Sequence, residues 1–350
     1  MDSLPIRKLK VDLQPRDFDL LLGLYHSRVM WREHIAALYF HGSMDPNKNL
    51  ESAKKRLQDL QKDGLVVELR ARARRPYQYA VYHIGVRGFR ALQEHGKLDG
   101  NLRWEKVARR AEVSEKTLKH ELTVITVRSK LEPEINAQAG FVVEEFSTWP
   151  VFYEFKARYY DFKLRRHHIA PFAPDGFFQI LSEQPTPRMH RFFLEVDLTK
   201  ESHVILAQKA DGYQNYYRSG DFAAQLKHDT GARERYKEYP FRVLMVVESA
   251  ERRNNAADFM LRFTSTKESV LMTTLDELKR DPLGAIYVSP LDYYEATKGT
   301  PYEVTKEEWH PNRKYVRNVA RDRFVEGVIH KNPLLVELKL APMAASLLTP

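Results

Sequence analysis

Two acidic side chains stand at the end of an otherwise apolar stretch, FFLEVDLTKES, residues 192–202. The apolar run predicts a buried strand, and Glu195 and Asp197 follow it two residues apart. Side chains alternate across a strand, so both carboxylates are expected on the same face. At about 5 to 7 Å and an effective dielectric near 20, two like charges repel by roughly 2 to 3 kcal/mol. A cation, a basic side chain or water at a frayed strand end must compensate for this repulsion.

A third acid precedes the neighbouring strand along the chain. The segment PDGFFQIL starts with Pro174, Asp175 and Gly176 and continues as an apolar strand, and SEQPTPRMHR connects it to the next. If the two strands pair antiparallel, the start of one lies beside the end of the other. Asp175, Glu195 and Asp197 would then converge on one spot. Such a group of acids is what a hard divalent cation, Mg²⁺ or Mn²⁺, requires.

The elements around these acids predict a mixed α/β fold. Residues 101–132 predict helix, interrupted before Ser114, which is a suitable N-cap. FVVEEFSTWP predicts a strand, KESHVILAQKADGYQNYYRSG a helix and FRVLMVVES another strand. The resulting order is helix, strand, strand, strand, helix, strand, which places the three acids within one sheet.

The first hundred residues predict a DNA-binding module. Three short helices extend between Asp17 and Gly64, and LVVELRARARRPYQYAVYHIG then alternates as two strands around a basic tip. This order predicts a winged helix-turn-helix, whose third helix can enter the major groove. The residues expected to contact DNA are Lys48, Lys54, Lys55 and Arg56 on that helix and Arg70, Arg72, Arg74 and Arg75 at the tip. The alternative is a winged helix that contacts protein, with the Arg side chains merely solvated.

Charge and composition narrow the class of partner. The 350 residues carry a formal net charge of +9, and residues 1–100 hold 18 Lys or Arg against 12 Asp or Glu. Uneven basic charge is typical of proteins that bind a polyanion, here double-stranded DNA. The chain has no Cys, which excludes disulfides and thiolate metal sites and fits a reducing compartment. No run of 18 apolar residues is present, so we expect a cytoplasmic protein with no membrane partner.

The arrangement of the acids resembles a known nuclease superfamily. PDGFF, followed about 20 residues later by FFLEVD in the strand and helix order above, resembles the PD-(D/E)XK restriction-endonuclease-like proteins, in which helices flank a mixed sheet. Together with HELTV at residues 120–124, the basic hairpin and the paired Tyr near the end of the following helix, the pattern is similar to the replication-relaxation family of plasmids and other mobile elements. The likeness covers roughly residues 12–250. It implies an α+β or α/β protein in two domains.

We therefore expect a winged helix-turn-helix domain at residues 1–98 and a nuclease-like domain at 99–297. From residue 298 the composition changes, and residues 298–350 are expected to form a C-terminal extension that packs on another surface, such as a second copy of the chain or a protein partner. A chain of this length is too long for one ordinary core.

The resemblance also implies a role for each matched position. Asp175 and Glu195 would hold the metal, with the carbonyl of Val196 as a further ligand. Asp197 stands where most of these nucleases have Lys. The predicted catalytic set is Asp175, Glu195, Asp197 and Lys209, and the three acids are the predicted metal ligands.

Other positions follow from the same likeness. Lys209, on the helix after the acids, would orient the attacking water or stabilise developing phosphorane charge, with Lys200 as the second choice. Gln208 and Tyr213 stand where related exonucleases contact DNA. Glu121 matches the helix acid that some members add.

These features lead to one hypothesis and several alternatives. The leading hypothesis is a mobile-element DNA-binding protein that nicks or cuts DNA with a divalent metal. The main alternative is a catalytically inactive replication accessory factor or transcriptional regulator, in which Lys209 pairs with Asp197 and the nuclease fold serves as a DNA or dimerisation platform. A defence or phage protein that reuses both modules is a third.

A nicking relaxase that forms a tyrosyl intermediate is the last alternative. Its candidates are Tyr213, Tyr216 and Tyr217, although aromatic residues at helical spacing are more often core. The adjacent His167 and His168 would point to opposite faces of a strand, so they could not bind one metal without a bend.

Overall fold

A computed structural model of the chain describes residues 10–69, 80–108, 114–148, 153–183, 186–198, 202–266, 269–305 and 318–335. The chain forms two compact units, of which the first comprises residues 1–133 and 147–149 and the second residues 134–146 and 150–350. Helices and strands occur in both units, so the predicted mixed α+β class is confirmed.

The first unit combines helices with a small antiparallel sheet. Its described elements are α1 Pro15–Ser27, β1 Met30–Trp31, α2 Arg32–Tyr39, α3 Pro46–Lys62, β2 Val66–Glu68, β3 Val81–Ile84, α4 Val86–Glu94, α5 Trp104–Ala108 and α6 Glu115–Asn136, whose last turn belongs to the second unit. The strands pair in the order β1-β3-β2, with Met30 opposite Tyr82 and Val66 opposite Ile84. The three helices and the two hairpin strands predicted from the sequence are confirmed, and β1 is an addition that the hydrophobic pattern does not reveal.

Helix α3 begins and ends at residues suited to those places. Asp45 accepts a hydrogen bond from the backbone N–H of Asn47 at 2.9 Å, and Pro46 is the first helical residue; both features favour a helix start. Gly64 follows the helix with a φ of +71°, a conformation that side chains other than glycine rarely adopt. The buried face of α3 consists of Ala53, Leu57 and Leu60.

Helix α6 packs on the helices that precede it. Its Leu122 lies in a buried cluster with Val29 and Val81, and its Arg128 Nη1 donates a hydrogen bond to Ser27 Oγ at 2.7 Å. Separating α6 from the first unit would expose this apolar surface to water. The first compact unit therefore includes most of α6 and extends to residue 133, whereas the polar stretch near residue 98 predicts an earlier domain boundary.

The second unit is built around a five-stranded mixed sheet. Its described elements are β4 Phe141–Ser147, β5 Phe155–Asp161, β6 Arg166–Phe172, β7 Gly176–Ser182, β8 Arg188–Asp197, α7 His203–Arg218, α8 Asp221–Lys227, a 3-10 helix Thr230–Glu238, β9 Arg242–Val247, α9 Ala250–Phe263, β10 Val270–Thr274, α10 Leu275–Arg280, β11 Ala285–Tyr287, α11 Pro290–Thr297, α12 Val319–Val328 and β12 Asn332–Pro333. The sheet order is β10-β9-β8-β7-β4, while β5 with β6 and β11 with β12 form separate pairs.

The strand directions in this sheet bring the acids together. Strands β7 and β8 are antiparallel, whereas β8 with β9 and β9 with β10 are parallel. A parallel neighbour requires a long crossover, which α7, α8 and the 3-10 helix supply between β8 and β9. The predicted order of helix, strand, strand, strand, helix, strand is therefore confirmed, with the hairpin β5–β6 inserted between β4 and β7.

Aromatic side chains fill the space between the sheet and α7. Phe177 on β7 and Phe193 on β8 are directly opposite, with ring centroids 5.1 Å apart, and Phe193 lies 5.1 Å from the ring of Tyr213. Gly212 allows Phe172 to approach α7 closely, since an added Cβ would stand 2.1 Å from that ring. The helix is thus held firmly against the strands that carry the acids.

Residues 318–335 complete the second unit. Val325 and Ile329 belong to the same buried core as the sheet and α7, and β12 pairs with β11. The described part of the segment 298–350 therefore packs into this unit, because its apolar residues complete a core that already exists. This differs from the separate extension that the change in composition indicates.

Candidate active site

Asp175 and Glu195 lie side by side at one edge of the sheet. The register of β7 and β8 pairs Gly176 with Leu194, so Asp175 stands at the level of Glu195. Asp175 Oδ2 accepts a hydrogen bond of 2.7 Å from the backbone N–H of Val196. The antiparallel pairing predicted from the sequence is confirmed, and it joins two acids that are 20 positions apart in the chain.

Glu195 is the buried centre of the cluster. Its side chain is 3 % exposed; Lys209 Nζ donates to Oε2 at 2.8 Å, and the hydroxyl of Tyr213 donates to Oε1 at 2.5 Å. Lys209 and Tyr213 are four residues apart on α7, so they share one face of the helix. Burial raises the pKa of Glu195 and the charge of Asp175 raises it further, while Lys209 and Tyr213 oppose the rise.

Asp197 has a different partner. Its side chain is 4 % exposed, and Arg252 donates to Oδ2 through Nε at 2.8 Å and through a second guanidinium nitrogen. Arg252 lies in the first turn of α9. His203, at the start of α7, is near this pair: burial and the charge of Arg252 lower the pKa of His203 to about 4. Two residues along a strand span about 7 Å, so Glu195 and Asp197 stand at different levels of β8. Helix α7 supplies the donors to Glu195, and α9 supplies the donor to Asp197.

The acids therefore do not form one group of three. Within the described ranges, no three His, Asp or Glu side chains are grouped so that they could hold a metal ion. The convergence expected from the sequence is reduced to Asp175 and Glu195. Two carboxylates still suit Mg²⁺ or Mn²⁺, because Mg²⁺ usually binds one or two protein carboxylates and keeps water or phosphate oxygens as its other ligands. Each oxygen of Glu195 accepts one protein donor, and a carboxylate offers about four lone-pair sites.

The lysines predicted to contact DNA lie on the surface of the first unit. Lys48 and Lys55 on α3 are exposed, and Lys54 is half-buried with its Nζ 3.4 Å from Glu51. Predicted residues that lie outside the described ranges are Arg70, Arg72, Arg74, Arg75 and Lys200.

Arg56 differs from its lysine neighbours. Its Nε donates to Asp17 Oδ1 at 2.9 Å and its Nη2 donates to the carbonyl of Asp12 at 2.7 Å. Asp17 is fully buried. Arg56 therefore satisfies a buried carboxylate of its own unit, and this contact removes it from the outer face on which the sequence places it.

The side chains of α7 that were candidates for DNA contact or nucleophilic attack are mostly enclosed. Gln208 and Tyr217 are half-buried, whereas Tyr213 and Tyr216 are buried. Burial raises the pKa of Tyr213 well above its ordinary value. Tyr213 is thus placed to orient Glu195, and the geometry does not favour a tyrosyl nucleophile, which needs access to a phosphate.

Three further candidates have contacts of their own. Glu121 lies in the first unit, where Arg28 Nη1 is 3.0 Å from its Oε1. His167 and His168 are exposed on β6, opposite Tyr160 and Tyr159 respectively. Adjacent residues of a strand point to opposite faces, so it stays a prediction that these two do not bind one metal without a bend.

Arg252 is the site residue that sequence reasoning missed. The signal was present, because AERR follows the segment FRVLMVVES directly. The carboxyl ends of parallel strands meet at one sheet edge, so the first turn of α9 lies at the same edge as Asp197. Ser249 Oγ accepts a hydrogen bond from the backbone N–H of Arg252 at 3.2 Å and caps the helix there.

Fold and site together define a mixed α+β protein in two units, with a carboxylate pair, a lysine and an arginine at the edge of its larger sheet. In a comparison with known families, the replication-relaxation family matches residues 21–229. The chain therefore belongs to the replication-relaxation family, and the match includes both Asp175 and Lys209. No curated protein and no solved structure matched the chain. In the part of the chain that the structure describes, no helix has both the length and the apolar character needed to cross a membrane.

Proposed function

We propose that this replication-relaxation protein binds duplex DNA through its first unit and hydrolyses a phosphodiester bond at Asp175 and Glu195 with a divalent metal. The observation that carries the proposal is that the two carboxylates lie side by side while Lys209 Nζ is 2.8 Å from Glu195. Two acids with an adjacent lysine are the groups that a metal-dependent nuclease needs.

The order of elements supports the DNA-binding half of the proposal. Helices α1, α2 and α3 are followed by the antiparallel strands β2 and β3, and β1 completes a three-stranded sheet. This is the arrangement expected of a winged helix, with α3 as the helix that enters the major groove. Lys48 and Lys55 are exposed on α3, where they can reach phosphates.

The sheet of the second unit supports the nuclease half. Asp175 precedes the second strand of the series β4, β7, β8, and Glu195 lies near the end of the third, before the crossover through α7 to β9. This placement resembles that of the PD-(D/E)XK nucleases. Asp197 occupies the position of the usual Lys, and Lys209 approaches Glu195 from α7 instead.

Each residue of the candidate site has a separate role in the proposed reaction. Asp175 and Glu195 would hold Mg²⁺ or Mn²⁺, which supplies Lewis-acid stabilisation of the phosphate and lowers the pKa of a bound water. Tyr213 fixes one oxygen of Glu195 through its hydroxyl. Lys209 is 30 % exposed at its side chain, so its ammonium can also stabilise negative charge on a phosphate as water adds to phosphorus and the P–O bond to the leaving strand breaks.

One observation favours the catalytically inactive alternative, an accessory factor or regulator that uses the fold as a platform. Lys209 forms an ion pair with Glu195, and Arg252 forms one with Asp197. A site whose acids are compensated internally can be stable without metal. This protein would still bind DNA, yet it would take up no Mg²⁺ or Mn²⁺ near millimolar concentration.

Incubation of supercoiled plasmid with Mg²⁺ or Mn²⁺ tests the choice. We expect the wild type to produce nicked or linear DNA, and Asp175→Asn and Glu195→Gln to leave the plasmid intact. Asp221→Asn is the matched control, because Asp221 is a half-buried acid of the same unit whose side chain contacts Arg233 and the hydroxyl of Ser219, away from the acids of the site. An intact plasmid with the wild type, a normal gel shift and no heat of metal binding in calorimetry would support the inactive alternative instead.

A further inference from the structure

The hairpin β5–β6 is a basic ribbon to which neither the proposed winged helix nor the acids assign a role. Its strands, Phe155–Asp161 and Arg166–Phe172, pair over seven positions, from Phe155 opposite Phe172 to Asp161 opposite Arg166. Resting on the proposed function that this chain acts on DNA, we propose that the ribbon is a second contact surface for duplex DNA in the unit that carries the acids.

Charge is the first observation behind this inference. Residues 155–172 contain five Lys or Arg against one Asp, a net charge of +4 out of +9 for the whole chain. All five basic residues are exposed, namely Lys156, Arg158, Lys163, Arg165 and Arg166. None of the five forms an ion pair with a carboxylate in the described part of the chain, so their charge is available to an external polyanion.

The ribbon is also held rigidly, as a binding surface should be. Asp211 Oδ2 on α7 accepts a hydrogen bond from the backbone N–H of Tyr160 at 2.9 Å, and Asn215 Nδ2 donates to the carbonyl of Arg158 at 2.9 Å. These two residues of α7 satisfy one N–H group and one carbonyl on the outer edge of β5. The hairpin is therefore already ordered in the free protein. DNA binding does not have to offset the conformational entropy lost when the hairpin is ordered.

The turn of the hairpin is fixed in the same way. Asp161 Oδ1 accepts hydrogen bonds from the backbone N–H groups of Lys163 and Leu164 at 2.9 and 3.0 Å. Phe162 is buried and its ring lies 5.6 Å from the ring of Phe259 on α9. The tip thus presents its basic side chains from a fixed backbone.

The shape of the ribbon fits duplex DNA better than other polyanions. A two-stranded β-ribbon can enter the major groove of B-DNA, whereas the major groove of duplex RNA is too narrow for side chains to read. Ile169 and Leu164 are 65 % and 54 % exposed, so apolar groups are available for the methyl groups and sugars of the groove.

Helix α7 connects the ribbon to the candidate site. Asp211 and Asn215 contact the ribbon, and Lys209 and Tyr213 contact Glu195. With a rise of about 1.5 Å per residue, these contacts lie within about 10 Å along the helix axis. Asp211 is two positions from Lys209 and from Tyr213, and Asn215 is two positions from Tyr213. The ribbon and Glu195 therefore contact different faces of the same helix.

The salt dependence of DNA binding by the full chain tests the proposal. The ribbon variant Lys156→Gln, Arg158→Gln, Lys163→Gln is compared with the wild type by fluorescence anisotropy on a 30-base-pair duplex. We expect the slope of log affinity against log salt to fall by roughly 2 to 3, since each lost phosphate contact removes about 0.9, with at least about tenfold weaker binding near 0.15 M salt. The control Lys279→Gln, Arg280→Gln, Lys298→Gln removes the same charge from exposed positions of the same unit and should leave the slope close to that of the wild type.

The outcomes separate failure of the ribbon from failure of the proposed function. Equal slopes for the ribbon variant and the wild type would overturn the ribbon proposal whatever the plasmid assay gives. A wild type that binds DNA through the ribbon but never nicks it would support the ribbon and remove only the catalytic half of the proposed function. If the ribbon variant loses binding to duplex RNA or to vesicles with 30 % phosphatidylserine, with DNA binding unchanged, the ligand class is wrong.

A photo-crosslink gives an independent measurement. A benzophenone amino acid at position 169 should crosslink to labelled duplex DNA, because Ile169 is exposed on the ribbon. The same group at position 328, where Val328 is 52 % exposed on α12, is the matched control. Equal crosslinking at the two positions would contradict the proposal.

Discussion

Glu195 is the residue of the site whose negative charge is hardest to stabilise, because its carboxylate is buried beside Asp175. A carboxylate that is 3 % exposed beside Asp175 would carry a repulsion of about 3 kcal/mol at 5 Å and an effective dielectric of 20. Lys209 and Tyr213 donate to its two oxygens and keep the charged form accessible. Asp197, two residues away, is compensated by Arg252. Each acid of the motif thus has its own buried or half-buried donor.

The ionisation of Glu195 predicts how metal binding responds to pH. Burial raises the pKa of Glu195 and the hydrogen bond from Tyr213 lowers it, so Tyr213→Phe should raise it further. Because the metal binds the ionised carboxylate, Mn²⁺ affinity should fall as pH decreases, and in Tyr213→Phe it should fall at a higher pH and be several-fold weaker at pH 6. Calorimetry with Mn²⁺ between pH 5.5 and 8 measures the midpoint. Tyr217→Phe, on the same helix, should match the wild type, and coincident profiles for all three proteins would contradict the role given to Tyr213.

At the scale of the element, α3 shows how one helix serves two purposes. Ala53, Leu57 and Leu60 form its buried face, and Lys55 points to solvent. Arg56 stands three residues after Ala53 and four before Leu60, so it lies at the margin of the apolar stripe. From that position it reaches Asp17 on α1 and ties the two helices together.

Substitution of neighbouring basic residues on α3 should separate stability from DNA binding. Arg56→Gln leaves the fully buried Asp17 without its cation, and we expect the free energy of unfolding of the first unit to fall by about 3 kcal/mol. Lys55→Gln should leave stability within about 0.5 kcal/mol and reduce the salt slope of DNA binding by about 0.9. Urea unfolding and fluorescence anisotropy measure the two effects. If Arg56→Gln lowered DNA affinity and left the free energy of unfolding unchanged, Arg56 would be a DNA-contacting residue instead.

At the scale of the whole molecule, the C-terminal part of the chain belongs to a folded unit. Arg253 on α9 is fully buried and pairs with Glu277 and Glu326, and Lys331 binds the same two carboxylates. A buried arginine without its acids would be strongly destabilising. The α12 segment is therefore joined to the second unit by charge as well as by apolar packing.

Removal of this segment should unfold the second unit. A chain that ends at residue 317 loses the buried side chains Val325, Ile329 and Leu334, which together contribute about 5 to 8 kcal/mol, a large share of the stability of an ordinary domain. A chain that ends at residue 335 keeps all three and is the control. Thermal unfolding and limited proteolysis should show a cooperative second unit only in the control. Two chains with equal melting temperatures would mean that the segment is a detachable extension after all.

The sequence by itself determined the local elements and the pair of acids. Three helices and a hairpin follow from periodicity in the first unit, and Asp175 is placed beside Glu195 by two apolar strands with a short connection. Such features depend on neighbours within a few residues or on one antiparallel pairing, so hydrophobic spacing and turn residues are sufficient to predict them. Membership of the replication-relaxation family was also accessible from these motifs.

The tertiary structure alone decided which partner each charged side chain takes. Arg252 binds Asp197 across 55 positions, Arg56 binds Asp17 across 39, and Arg128 joins α6 to Ser27 of α1 across 101. Side chains of one type look alike in a sequence, and only the packing of distant helices determines which of them face an acid and which face water. The unit boundary and the place of the C-terminal segment have the same cause, because a core that is completed by distant residues leaves no local pattern in the chain.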